Sequence, residues 1–349
     1  MVNITKFGTT KEGLPAELYE IVNSDGARAV VSDYGATLVS LYIRDKDGNF
    51  KDVVLGYDAL SDYENSDSYF GGTIGRCANR LRYGEFILNG EEYTLDINDN
   101  GINSLHGGYE GFNKKCWATS VEENAVTFSL ISPEFDGGYP GNLIVTIRYE
   151  FTDDNELKIS YLAQSDADTI VNLTNHSYFN LDGHDSETCL DAELCVNAPF
   201  YLPVNEYSQL TGEIRKCEGT PFDFSSPKVI GKDIEVDDIQ LRLTNGYDHT
   251  LVFEKSERGA FEKCAELKSL NSGICMEVYT TEPSAQFYTG NYINNEKGKG
   301  GVLYSKHQGI CFETQLFPDA MHNTFFPSPI LKKGEKYTSL TTYKFYAVR

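Results

Sequence analysis

The sequence predicts an all-β protein, a large antiparallel β-sandwich with few short helices. Three observations predict it. Aromatic residues make up 13% of the 349-residue chain, with 23 Tyr and 20 Phe, side chains that pack well on a pleated surface. Strand-like runs recur on either side of turns built from Gly, Asn and Asp. Apolar stripes at helical spacing are scarce. With 40% apolar and 23% charged residues, the chain has material for a core and is not of disordered composition.

The elements follow in order. Ala27-Arg28-Ala29-Val30-Val31 reads as a strand, turns at Asp33-Tyr34-Gly35 and resumes from Ala36 to Ile43. Asp58 to Asn65 reads as a short helix. Phe86-Ile87-Leu88 and Tyr93-Thr94-Leu95 flank Asn89-Gly90, a hairpin signal because both positions tolerate positive φ. Leu143 to Phe151 and Glu156 to Leu162 flank Asp153-Asp154-Asn155. Ala265 to Leu270 and Ile274 to Thr280 flank Asn271-Ser272-Gly273. Lys336 to Tyr346 is a final long strand. Successive hairpins at this length predict a sandwich. No linker, composition break or solenoid-length repeat interrupts the chain, so residues 1–349 are expected to form a single domain. Asn294 to Gly301, rich in Gly and Lys, is expected to be a mobile loop.

Charge narrows the partners. With 52 acidic residues against 30 basic ones, the net charge of −22 repels phosphate backbones and anionic lipid, so neither nucleic acid nor a membrane surface is an expected partner. No apolar run approaches bilayer length, and Met1 to Lys6 has no apolar signal core. The eight cysteines include no CxxC pair, so free thiols and a cytoplasmic location are expected. The sequons Asn172-Leu173-Thr174 and Asn175-His176-Ser177 fall in a segment read below as a site, where a glycan would block access.

Metal and nucleotide signatures fail. Asp96 to Gly107 opens like a calcium loop but has Gly107 where a bidentate Glu is required. The six histidines form neither HxH nor HExxH, and P-loop, GxGxxG and GxSxG patterns are missing. Chemistry without a metal or cofactor is expected.

Four segments hold more polar groups than plain strands would. Gly71 to Arg80 places Asn79 between two arginines after a run of glycines; it reads as a turn with solvated arginines or as a site. In Asn103-Ser104-Leu105-His106-Gly107-Gly108, the glycines permit close backbone approach beside a His that is structural or functional. In Asn172 to Asn180, a strand would put His176 on one face with Asn172, Thr174 and Tyr178. So many amides and hydroxyls make poor core, which favours a site. In Ile310 to Asp319, Glu313 interrupts an apolar strand and must be paired, cavity-facing or on an exposed edge. Tyr247-Asp248-His249 and Gln286-Phe287-Tyr288 each set a hydrogen-bonding side chain beside aromatics, as sugar sites do and as ordinary strands also do.

Taken in order, these segments resemble the galactose mutarotase (aldose 1-epimerase) family. The matching stretches are YGATLVSL, DVVLGYDALSDY, GRCANRL, NSLHGG, YPGNL, LTNHSYFNL, YDHTLVF, TTEPSAQFYTGN and ETQLFPDA, with a likeness that runs from about Val30 to the last strand. The resemblance implies the family's large antiparallel sandwich and an isomerase of hexose metabolism that needs no cofactor. It implies His176 as general acid and Glu313 as general base. It also implies Asn79, Arg80, His106, Asp248, Gln286 and Tyr178 as sugar-binding residues. The chain departs from the family at Met321-His322-Asn323 and at Ser284, differences expected at a pocket rim or turn and bearing on sugar preference.

These residues suit anomer interconversion. A base takes the O1 proton, an acid protonates ring oxygen O5, C1–O5 breaks, and rotation about C1–C2 precedes reclosure. The expected partner is a small aldohexose, and the expected assembly a monomer or weak homodimer. A glycosidase pairing Glu313 with Asp248 or Asp319, a hexose 6-phosphate epimerase and a non-catalytic sugar-binding sandwich are the competing readings.

Overall fold

The computed structural model describes residues 1–348, and three large antiparallel sheets dominate it. The amino-terminal sheet runs in chain order through Val2–Thr9, Pro15–Val22, Arg28–Ser32, Thr37–Arg44 and Phe50–Asp52. A nine-stranded sheet begins with the meander Ala118–Val121, Ala125–Ser132, Leu143–Phe151 and Glu156–Ser165. It then takes in the final strand, Lys336–Ala347, before Ile274–Thr280, Glu262–Lys268, Glu193–Val196 and Lys228–Val229. The third sheet has five strands, ordered Arg215–Lys216, Phe200–Leu202, Asp248–Val252, Ser284–Tyr288 and Cys311–Gln315.

Period-two patterning explains how the layers stack. In Leu143–Phe151 the buried positions are Leu143, Val145, Ile147, Tyr149 and Phe151, and the intervening residues face outward. The main apolar core joins all three sheets, with Tyr19 and Val31 from the first, Phe128 and Ile147 from the second, and Leu251, Phe287 and Phe312 from the third. The Asn89-Gly90 turn has φ of 54° and 87°, the left-handed pair that a two-residue hairpin requires.

Helix is confined to short pieces. Leu60–Asn65 matches the sequence reading. Ile239–Thr244 was not foreseen: six residues span fewer than two turns, too few to show a periodic stripe. Asp238 caps it by accepting the Gln240 N–H, and Asn245 ends it at φ 55°.

The loop expected from Asn294 to Gly301 is instead pinned. Glu296–Lys297 pairs with Leu303–Tyr304. Lys299 is buried, its Nζ 2.6 Å from Asp52 Oδ2, 2.9 Å from Val39 O and 3.1 Å from Ser40 Oγ. Glu296 accepts from Ser66 Oγ and Ser68 Oγ at 2.8 and 2.5 Å, and from the Tyr57 hydroxyl. The polar composition of the segment thus reflects buried ion pairing and hydrogen bonding.

Candidate active site

The third sheet sets the floor of the site. Its register places Gln286 directly opposite Glu313, and Tyr288 opposite Cys311 and Asp248. Residues of equal parity share a face, so Cys311 and Glu313 rise on the same side. Gln286 is locked by two bonds: its Oε1 accepts from Thr250 Oγ1 at 2.7 Å, and its Nε2 donates to Asp248 Oδ1 at 2.6 Å.

Cys311–Gln315 is the last strand of its sheet, yet it is covered. The chain at 172–179 runs antiparallel beside it. Asn172 accepts from Leu316 N at 2.9 Å, and Phe179 and Ile310 exchange backbone bonds at 2.7 and 2.9 Å. Glu313 is 2% exposed and faces a cavity, so its place in an apolar strand is not that of a solvated edge residue. Only Thr174–Asn175 pairs as regular strand in this stretch. The polar residues there are nearly all bonded: Asn175 Nδ2 donates to Gly71 O at 2.7 Å, and Ser177 Oγ donates to Asn175 Oδ1 at 2.5 Å. Both sequon asparagines are buried, beyond reach of a glycan.

The glycine-rich segments bring in the other wall. His176 N donates to Gly72 O at 2.9 Å, and Gly71 N to His176 O at 3.0 Å. A Cβ on Gly71 would lie 1.9 Å from Leu38 O, and one on Gly107 1.9 Å from Gly75 O; both residues have positive φ, so glycine is required at each. Arg80–Arg82 pairs with Asn103–Leu105, which sets Asn79 beside His106. The two share reciprocal bonds at 3.1 Å, His106 N to Asn79 O and Asn79 N to His106 Nδ1. The two arginines that flank Asn79 differ in role. Arg76 is 2% exposed and donates to Ser132 Oγ and O, Pro133 O, Pro140 O and Thr169 Oγ1, a structural anchor. Arg80 lines the cavity, its Nε 2.9 Å from Asp99 Oδ2.

All eight residues predicted from sequence line this one cavity of about 580 Å³: Asn79, Arg80, His106, His176, Tyr178, Asp248, Gln286 and Glu313. His176 Nε2 lies 3.6 Å from Glu313 Oε1. Its ring is sandwiched between Tyr178 at 4.9 Å and Tyr69 at 5.7 Å, with interplanar angles of 22° and 17°. Of the pocket rim or turn expected for the departures, Met321-His322 occupy a turn, whereas Ser284 opens the strand Ser284–Tyr288, and none of them lines the cavity. Asp319 is also spent elsewhere, bound to Arg82 Nε at 2.9 Å and His322 Nδ1 at 2.7 Å.

Burial governs the electrostatics. It pushes the Glu313 carboxyl well above its usual 4.5, with Asp248 adding to the rise and Arg80 opposing it. Burial likewise pushes His176 down to about 3 and His106 well below 6.5, the latter helped by His176. Neutral His106 accepts the Asn79 N–H at Nδ1, so its proton sits on Nε2 as a hydrogen-bond donor. His106, His176 and Glu313 lie close enough to resemble a metal triad. A protonated Nε2 offers no lone pair, so the set does not suit a metal.

Sequence similarity agrees with the geometry. The aldose 1-epimerase family profile matches residues 17–344. Galactose mutarotase of Bos taurus is 43% identical over 348 residues, 99% of each chain, and that of Homo sapiens 44% over 93% of this chain and 92% of its own. Aldose 1-epimerase of Escherichia coli is 37% identical over 96% of this chain and 97% of its own. The chain belongs to the aldose 1-epimerase family. It is accordingly an isomerase. Among solved structures, an aldose epimerase homologue from C. elegans superposes with a TM-score of 0.88 at 31% identity, covering 96% of this chain and all of that one. Galactose 1-epimerase from Lactobacillus acidophilus superposes with a TM-score of 0.86 at 31% identity, covering 100% of this chain and 99% of its own.

Three lining or adjoining residues of this aldose 1-epimerase escaped the sequence reading. Tyr69, at φ 58°, stacks on His176 and meets His106 edge-on at 4.7 Å. Its signal was an aromatic pair, Tyr69-Phe70, leading into the glycine run. Asp99 lay in the segment considered for calcium and serves Arg80 instead. Cys311, two residues before Glu313 on the same face, was discoverable by strand parity; its Sγ lies 3.5 Å from His176 Nδ1.

Proposed function

We propose that the protein interconverts the α- and β-anomers of D-galactose and D-glucose by ring opening and reclosure, with Glu313 and His176 as the acid–base pair. The observation that carries this reading is the 3.6 Å approach of His176 Nε2 to Glu313 Oε1, both buried side chains, on the wall of one cavity. In the opening step the Glu313 carboxylate takes the O1 proton while His176 imidazolium gives its Nε2 proton to O5, and C1–O5 breaks. Opening therefore turns a charged pair into a neutral one, carboxylic acid and imidazole, the forms that burial favours. After rotation about C1–C2, O5–H attacks the other carbonyl face. Its proton returns to His176, and the Glu313 proton goes to O1. The pair holds one proton at the start and one at the end.

A general-acid role would be simplest for a His176 already protonated in the empty site. Burial disfavours that, so the single proton rests on Glu313 until substrate binds. His106 Nε2–H and the Arg80 guanidinium are placed to steady charge on sugar oxygens, and the locked Gln286–Asp248 pair to accept and donate to the other hydroxyls. Tyr178 and Tyr69 offer aromatic faces beside His176.

Two rival readings lose support. A phosphorylated hexose calls for several cations, yet among the described lining residues Arg80 is the single Arg or Lys, against Asp67, Asp99, Glu206, Asp248 and Glu313. A glycosidase that used Asp319 is inconsistent with its ion pairs outside the cavity. Eight free cysteines fit a reducing compartment such as the cytoplasm, and among the described residues no helix is long and apolar enough to cross a membrane.

The test is polarimetry on freshly dissolved α-D-galactose and α-D-glucose, with Glu313→Gln in parallel. Faster approach to the same final rotation by wild type alone supports the reading. No rate above buffer on either sugar, or release of nitrophenol from a nitrophenyl galactoside, overturns it.

A further inference from the structure

We propose that Cys311 is a positioning residue for this reaction: its sulfur accepts the Nδ1–H of His176 and so reserves Nε2 for proton exchange with the sugar. The inference rests on the assignment of His176 as the acid made above. An imidazole that works through Nε2 must keep its other proton on Nδ1 throughout the cycle. If the neutral ring shifts to the Nε2–H tautomer, it presents a proton where a lone pair is needed to receive the one on O5, and reclosure stalls.

The geometry places one side chain at that nitrogen. Cys311 Sγ is 3.5 Å from His176 Nδ1, within sulfur hydrogen-bond range, and Nε2 on the opposite side of the ring faces Glu313 Oε1. Cys311 is fully buried, and strand parity puts it on the Glu313 face. The register places Tyr288 across from it, and that ring lies edge-on to His176 at 6.3 Å, so the thiol is packed in place.

The chemical choice of sulfur is informative. Burial holds the thiol proton far above its ordinary range, so Cys311 stays neutral. A carboxylate at this position would also hold Nδ1–H, but would stabilise imidazolium and weaken His176 as an acid. A neutral, weak acceptor fixes the tautomer and leaves the imidazolium strongly acidic. No covalent or redox step is required of the sulfur.

The test compares Cys311→Ala and Cys311→Ser with wild type by steady-state mutarotation kinetics and by 15N NMR of the His176 ring. Wild type is expected to show the Nδ1–H tautomer. Cys311→Ala is expected to lose it in part and to lower kcat roughly 10-fold with KM within about twofold. Cys311→Ser, whose hydroxyl also accepts, is expected to restore the tautomer and most of kcat. An Nε2–H tautomer in wild type overturns the proposal. So does an alanine variant with unchanged tautomer and rate, or equal losses in both variants, which marks Cys311 as packing alone. The NMR reading needs no turnover, so it tests the proposal even if wild type fails to mutarotate these sugars, a failure that would count against the activity assignment.

Discussion

His176 Nε2 and Glu313 Oε1 stand 3.6 Å apart, just beyond hydrogen-bond length, on two chain segments 137 positions apart in sequence and all but sealed from solvent. Glu313 Oε2 has no partner among the described residues, which leaves it free for a sugar hydroxyl. In the proposed mechanism the two groups share one proton and act as a unit. Glu313→Gln and His176→Asn are each expected to lower kcat by ~10²–10⁴-fold. The double variant should be little worse than either single one, because the second group has no function once the first is gone. Polarimetric rates of the three variants check this, and multiplicative losses would argue for independent roles.

The pH profile follows from the same unit. Burial holds His176 near about 3 and Glu313 well above 4.5. Below the His176 value both groups are protonated and no base remains. Above the raised Glu313 value both are bare and no acid remains. Background-corrected kcat/KM is therefore expected to show no acid limb near 6.5, the value of an ordinary imidazole, because that limb lies down at the His176 value, and to fall on the alkaline side as Glu313 releases the shared proton. An acid limb centred near 6.5 would contradict this placement of the proton.

Asp99 anchors Arg80 at 2.9 Å and itself accepts from Asn103 Nδ2 at 2.9 Å. Asp99→Asn keeps the shape and removes the charge. A charged hydrogen bond contributes about 1.5–3 kcal/mol, so kcat/KM should fall by about tenfold or more. In an Arg80→Ala background the same change should add little, and a full further loss there would show that Asp99 acts on the sugar directly.

The aromatic sandwich around His176 gives a milder prediction. Tyr69→Phe should retain kcat within about twofold, whereas Tyr69→Ala should lose roughly 2–10-fold, the equivalent of one aromatic pair. Loss of activity in the phenylalanine variant would point to a role for the Tyr69 hydroxyl.

Lys299 and Asp52 form a buried ion pair at 2.6 Å that ties the 296–304 hairpin to the amino-terminal sheet. Lys299→Ala leaves the Asp52 carboxylate buried with its cation removed. It should destabilise the protein by about 3–5 kcal/mol in urea unfolding, and Lys299→Met with Asp52→Leu should cost much less. Because Glu296 of the same hairpin holds Ser66 and Ser68, next to Tyr69, the alanine variant should also lose activity before it unfolds globally.

Much of this was legible along the chain because it is local. Alternation in Leu143–Phe151, the Asn89-Gly90 turn and the helix at Leu60–Asn65 depend on near neighbours, and each appears where the sequence predicted it. The eight candidate site residues stood out as polar groups in segments of strand-like or glycine-rich character. Arg76 and Arg80 could not be told apart that way: both flank Asn79, and only the surroundings make one a core anchor and the other a cavity wall. Lys299 was hidden by its polar neighbours, since sequence shows a side chain's charge and not the carboxylate that folds against it.

What the sequence by itself determined is the class of structure and the chemical inventory: antiparallel sheets with turns fixed by positive-φ residues, and a set of acids, amides and imidazoles of the aldose 1-epimerase kind. What only the tertiary structure decided is which of these groups meet, how far they stand apart and which proton each holds. The physical reason is that pairing distances and burial arise between segments remote in sequence. His176 owes its neutral form to enclosure, and its neighbours to Cys311 and Glu313 on a strand more than a hundred residues away.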